Sequence, residues 1–193
     1  MDRERIMAGE QTYVCVLDEG RRALEERLFG GEFAANVLQR GHLTLEELGE
    51  VASWKWNGAG VRVRAGNTPA MVERFTSAAI AHHDDARLAT WILTYLYGVH
   101  VRMASAVLAT LFPEEHTVLD RRVWGALAAL GWAPDLEHVF GDRVPADFLD
   151  RCATYDVYRL VCAQKAAEFG VSLRALDRFL YMHADADAAN GGA

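Results

Sequence analysis

Signals that start and stop helices recur along this chain, and they constrain its fold more than any other feature. Thr44 and Glu47 form the Thr-x-x-Glu pattern of a capping box ahead of Leu45, Leu48 and Ala52, on a helix that runs toward Trp54-Lys55-Trp56. Asn57-Gly58-Ala59-Gly60 reads as the loop that ends it. Thr68-Pro69 supplies an N-cap and a first helical proline for a helix through Met71, Val72, Phe75 and Ala79 to His82. Asp84-Asp85 caps a third, with Leu88, Trp91, Ile92 and Tyr95 predicted on its buried face and Gly98 as its stop. Further helices are predicted from about Arg102 to Leu111, from Asp120 to Leu130 before Gly131, from Pro145 to about Phe169, and after a Ser172 cap. Alternating β-branched runs are scarce, so the expected fold class is all-α.

The expected organisation is one helical domain over 1–183 and a disordered tail over 184–193, where small and acidic residues replace large apolar ones. In the first 43 residues, Val14-Cys15-Val16-Leu17 fits a short strand or a helix start. Gly30-Gly31 breaks the chain there before a short helix around Phe33 to Leu38. No apolar run reaches the roughly 18 to 20 residues of a membrane span, so no membrane partner is expected. Met1-Asp2-Arg3-Glu4-Arg5 carries acidic residues where a signal peptide is basic, and the expected compartment is the cytoplasm. Cys15, Cys152 and Cys162 are odd in number and far apart, which gives neither a disulfide framework nor a metal motif.

The net charge of -7 opposes a protein that coats nucleic acid indiscriminately, since that binding rests on a positive surface, but it leaves room for a small focused site. Of the 20 basic residues only Lys55 and Lys165 are lysines, so the chain offers few side-chain amines. Lys55 continues the stripe of Leu45, Leu48 and Ala52 by helical spacing and is predicted to point inward between Trp54 and Trp56. Such a lysine either lays its stem over apolar surface or places its amine in a cavity beside aromatics suited to stacking. In the cavity it is a candidate nucleophile.

The segment Leu96-Tyr97-Gly98-Val99-His100-Val101-Arg102-Met103-Ala104 reads as a tight turn between two helices. Its chemistry is either a plain helix connection or a phosphate site built from backbone N–H groups at a helix N-terminus. Asp120 follows Val118-Leu119 and begins an apolar helix, where a carboxylate serves as an N-cap. A carboxylate so placed can also stabilise an oxocarbenium-like sugar and position water. His82-His83-Asp84-Asp85 points its side chains in different directions and reads as a solvated turn, so no metal and no cofactor are expected. Arg62, Arg64, Arg121 and Arg122 form two small basic groups. Ser172 to Arg178 reads as a packing helix rich in i,i+3 and i,i+4 ion pairs.

These residues resemble the helix-hairpin-helix DNA glycosylases, in the manner of 8-oxoguanine glycosylase and endonuclease III, whose hairpin reads L-P-G-V-G-x-K-x-A before a V-D-x-x-V segment. Leu96, Gly98, Val99 and Ala104 fit the hairpin, and Val118-Leu119-Asp120-Arg121-Arg122-Val123 fits the second segment. The resemblance implies two helical lobes around a cleft, with the hairpin-containing lobe at about 69–130. It implies that a modified base in double-stranded DNA is flipped out and excised. Asp120 would be the catalytic carboxylate. Gly98, Val99, His100, Val101, Arg102 and Arg121 would bind DNA; on their own placement Trp54 and Trp56 beside Lys55 are candidates to line the base pocket, and Trp124, one helical turn after Asp120, is either a third such residue or core. Tyr97 stands for the hairpin proline, His100 for its second glycine, and Arg102 for the lysine of lyase-active members. A guanidinium cannot serve as an amine nucleophile, so a monofunctional, monomeric glycosylase is expected, with Lys55 the alternative amine. The other readings of the same residues are a non-catalytic hairpin module that binds DNA or protein, and a hydrolase of free nucleosides.

Overall fold

The computed structural model describes residues 3–141 and 143–190, and among them all regular structure is helical. The N-terminal part is α1 (Arg3–Val16), α2 (Glu19–Phe29) and α3 (Glu32–Arg40). Val14, Cys15 and Val16 form the last turn of α1, so the segment is neither the strand nor the helix start expected there but a helix end. Then come α4 (Leu45–Lys55), α5 (Ala59–Gly66), α6 (Pro69–Ala81), α7 (Ala86–Leu93) and α8 (Val101–Leu111). The remainder is α9 (Arg121–Ala129), a short α10 (Glu137–Phe140), a 3-10 turn (Phe148–Asp150), α11 (Cys152–Phe169) and α12 (Leu173–Asn190). No helix among the described residues is long and apolar enough to cross a membrane.

The local signals act as expected where capping is local. The Thr44–Glu47 box is closed in both directions, and Thr68, Asp85 and Asp120 accept N–H groups of the first turns of α6, α7 and α9. α8 is the central element: every residue from Val101 to Leu111 except Arg102 is buried, and it packs against α3, α4, α7 and α11. A helix apolar on all sides belongs inside a core, and its Ala104, Ser105, Ala106 and Ala109 permit close neighbours.

Three boundaries and one helix face differ from the sequence reading. α7 buries Ala86, Ala89, Thr90 and Leu93, the first three small enough to let α6, α8 and α11 pack close, and Trp91 and Tyr95 are left exposed. Asn57 to Gly60 is not a free loop, because Ala59 already opens α5 after Gly58 turns the chain at φ +78°. Gly60 is helical because it crosses α4: a Cβ there would lie 2.4 Å from the Gly49 carbonyl oxygen. Pro145 begins only a turn, and extended backbone at Arg151 (φ -105°, ψ 130°) delays α11 to Cys152. The tail from Ala184 continues α12 as far as Asn190, in keeping with its alanine content, and 191–193 lie outside the described residues.

The hairpin between α7 and α8 turns at Gly98, φ +78°, where a Cβ would meet Val63 Cγ2 of α5 at 3.3 Å. Asn67, buried after α5, grips Tyr97 from both sides: its Nδ2 donates to the Tyr97 carbonyl at 3.0 Å and its Oδ1 accepts the Tyr97 N–H at 2.9 Å. The missed helix α5 is therefore the seat of the hairpin.

Candidate active site

The segment Val118-Leu119-Asp120 is pinned between α8 and α11 before it reaches the site. Buried Ser105 accepts the Leu119 N–H at 2.9 Å, and the Tyr158 hydroxyl donates to the Val118 carbonyl at 3.0 Å. This fixes Asp120, whose two oxygens are divided between two tasks. Oδ1 accepts the Arg122 N–H at 2.9 Å as the cap of α9, and Oδ2 accepts from Lys55 Nζ at 2.8 Å. The cap and the functional candidate are one residue.

Lys55 arrives from the C-terminal end of α4 with its side chain 6% exposed. The helix dipoles suit this meeting, since the negative end of α4 faces a cation and the positive end of α9 faces an anion. Burial nevertheless dominates at Lys55 and holds its amine below the ordinary lysine range, against the pull of Asp120. At Asp120 burial works toward neutrality, but the Lys55 charge and hydrogen bond, the Arg122 N–H and the Arg102 charge outweigh it and keep the carboxyl below its usual range. The pair therefore combines an ionised carboxylate with an amine that deprotonates more readily than a free lysine.

The pair lies on the wall of a cavity of about 660 Å³, formed where α1, α9 and α12 face the end of α4 and the start of α8. Seven lining residues are cations and two are carboxylates, so this acidic chain concentrates positive charge at one opening. Trp56 lines the cavity beneath two of those cations, with Lys55 Nζ 5.9 Å and the Arg102 guanidinium 5.3 Å from its ring centre. Trp54 also lines it, with its indole N–H donated to Glu25 at 2.8 Å. Trp124 does not: it packs on Phe148 and Tyr158, ring centres 5.1 and 6.2 Å away, and leaves the candidate base pocket. Of the hairpin residues, Val99 and Val101 bury their side chains and offer only backbone, His100 is exposed as the α8 N-cap, and Arg102 lines the cavity. Arg102 Nε also donates to Asp150 at 3.2 Å. Arg121 is exposed at the rim.

The back wall is a buried ionic network that the sequence reading assigned to mere packing. Glu25 of α2 receives Arg174 and Arg178 of α12 on Oε1, and Trp54 Nε1 on Oε2 with the Tyr13 hydroxyl at 3.4 Å. Arg174 also pairs with Asp177, and Arg178 reaches Glu10 at 2.7 Å. Burial lifts the Asp177 carboxyl to about 6 although Arg174 and Lys55 oppose the shift, while Arg174 and Arg178 overcome burial at Glu25 and hold it low. Arg174 and Asp177 thus face the cavity beside Lys55.

Away from the cavity, His83, Glu115 and His116 bring ligand-type atoms within 4.8 Å of one another. His116 is committed elsewhere: its Nε2 meets the His83 carbonyl at 2.9 Å and its Nδ1 the Tyr155 hydroxyl at 2.9 Å. A carbonyl only accepts, so Nε2 carries the proton and Nδ1 takes the Tyr155 hydrogen, which leaves no lone pair for a metal. Burial lowers the His116 pKa from 6.5 to about 4, so the unfolded chain binds its proton first on acidification. Stability from His116 is complete above pH 6.5 and is lost as pH falls toward 4, by about 3 kcal/mol in all. Urea unfolding of wild type and His116→Gln at pH 7 and pH 4.5 checks this: wild type should lose more on acidification, and equal losses would remove His116 as the cause.

No protein-family model matches the sequence, and comparison with curated proteins and with solved structures gives no significant match.

Proposed function

We propose that this chain is a DNA N-glycosylase that hydrolyses the bond between deoxyribose and a modified or damaged base. The observation that carries the reading is the Lys55–Asp120 pair, mostly buried yet open to a cation-lined cavity, with Asp120 held ionised. An ionised carboxylate in a partly dry site stabilises the positive charge that develops on the sugar as the glycosidic bond breaks. The cavity is within the size range of small-molecule pockets, Trp56 gives it an aromatic floor, and rim arginines suit the phosphates on either side of a flipped nucleotide. The partner is duplex DNA carrying the modified base, the chain acts as a monomer in the cytoplasm, and the reaction needs no cofactor.

The test is a panel of duplexes with oxidised, alkylated, deaminated and otherwise modified bases, with release of free base and strand scission scored separately. Free base from one member supports the reading. Tight binding with no release from any member replaces it with a non-catalytic DNA-binding module, and release from nucleosides alone makes the chain a nucleoside hydrolase.

The hairpin gives a prediction that does not depend on the base. Arg102→Ala should weaken binding to all duplexes alike and reduce the salt dependence of affinity by about one phosphate contact. Gly98→Val should weaken it more, because φ +78° excludes a β-branched residue and Val63 Cγ2 already stands 3.3 Å from the Cβ position. Titration of a labelled duplex at two salt concentrations measures both. Unchanged affinity in Arg102→Ala would reduce the hairpin to a helix connection.

A further inference from the structure

We infer that Lys55 is the nucleophile of this site, an amine delivered from the end of α4 that makes the enzyme a lyase as well as a glycosylase. The inference rests on the glycosylase reading for its substrate class, a deoxyribose C1′. The expectation of a monofunctional enzyme followed from Arg102, whose guanidinium has no available lone pair. In space, Lys55 Nζ and the Arg102 guanidinium stand over the same Trp56 ring, 5.9 and 5.3 Å from its centre. The amine therefore shares the aromatic neighbour and the cavity of the arginine, and comes from a helix 47 residues earlier in sequence (102 less 55).

The other lysine has a carboxylate and an aromatic neighbour too, but it lies off the cavity. Lys165 Nζ pairs with Glu168 at 2.8 Å and lies 5.3 Å from the Trp132 ring, with neither residue on the cavity. Lys55 has its side chain 6% exposed, a carboxylate at 2.8 Å to take its proton, and the Arg174 charge to disfavour the ammonium form. Burial shifts the amine in the same direction.

The chemistry balances on these groups. Lys55 passes a proton to Asp120, and its lone pair attacks C1′; the C1′–N bond to the base breaks, and the base leaves with that electron pair and takes up a proton. The sugar ring opens as the C1′–O4′ bond breaks, O4′ is protonated, and the nitrogen lone pair forms an iminium. Loss of a C2′ proton to a base then expels the 3′ phosphate with its bonding electrons, which cuts the strand. Water hydrolyses the remaining iminium and returns Lys55. At a preformed abasic site the same amine adds to the C1′ aldehyde and loses water, so the iminium forms without any base to excise.

A duplex with one abasic site is accordingly the probe, with the full chain and sodium cyanoborohydride, whose hydride reduces the iminium to a stable secondary amine. The expected result is a covalent protein–DNA adduct mapped by peptide mass to Lys55, together with a nick on the 3′ side of the site when reductant is omitted. Lys165→Ala should leave both unchanged. Lys55→Ala should lose the adduct, and Lys55→Arg should lose it while keeping a cation beside Asp120, with melting temperature and duplex affinity close to wild type. Absence of an adduct with wild type, or an adduct that survives in Lys55→Arg, overturns the assignment. Base release from the duplex panel without an adduct sinks the nucleophile and leaves the glycosylase reading standing. An adduct at Lys55 without base release from any duplex supports the nucleophile and sinks the glycosylase reading.

Discussion

Asp120→Asn should lower the rate of base release by at least about 100-fold, the lower range for loss of a group that handles a proton or a developing charge, while the protein stays folded. The division of labour between its oxygens makes this the sharpest substitution available. Asparagine keeps an Oδ1 for the Arg122 N–H, so the cap of α9 survives. It removes the negative charge next to Lys55 Nζ, and the amine then sheds its proton more readily because only Asp177 is left to oppose burial. Single-turnover base release from a responsive duplex, measured beside the thermal melt, separates the two roles. A variant that excises at the wild-type rate with an unchanged melt would show that the residue is only a cap.

Glu25→Ala should produce the largest loss of stability, about 3 to 5 kcal/mol, the range for breaking a buried ion pair from one side. Glu25 is 3% exposed, and its removal takes from Arg174 and Arg178 the carboxylate they share, leaves them only Asp177 and Glu10, and strands the Trp54 N–H. For a chain of this size that corresponds to a fall in melting temperature on the order of 10 °C. Glu25→Gln keeps the shape and one acceptor and should lie between wild type and alanine. Guanidinium or urea melts check the order. A loss under about 1 kcal/mol in Glu25→Ala would mean that water reaches the two arginines and that the network is not cooperative.

How much of this was legible in one sequence follows from the range of each interaction. Caps are local, so Thr44, Thr68, Asp85 and Asp120 announced the starts of α4, α6, α7 and α9. The inward direction of Lys55 was readable from helical spacing, but its partner lies 65 residues away and no periodicity encodes that distance. α5 was invisible because Gly58 begins it without a side-chain cap and its glycines answer to tertiary neighbours, Ser53 at Gly60 and the Tyr97 ring at Gly66. The back wall was misread for a related reason. Arg174 and Asp177 do form the expected i,i+3 pair, yet the partner that organises them, Glu25, stands 149 residues from Arg174. Trp124 takes its core alternative rather than the pocket because Asp120 is not itself helical. Its extended backbone turns the carboxylate back over the start of α9, while Trp124 follows the helix toward Phe148 and Tyr158.

The grip of Asn67 on Tyr97 bears on how such a turn tolerates genetic drift. Where a proline would stiffen position 97 through its ring, two hydrogen bonds from a side chain thirty residues upstream hold the peptide groups on both sides of it. The route of the loop is thereby shared between its own Gly98 and the junction after α5. The Tyr97 ring is held in turn over Gly66, and Asn67, outside the hairpin, becomes a residue whose loss the turn would register.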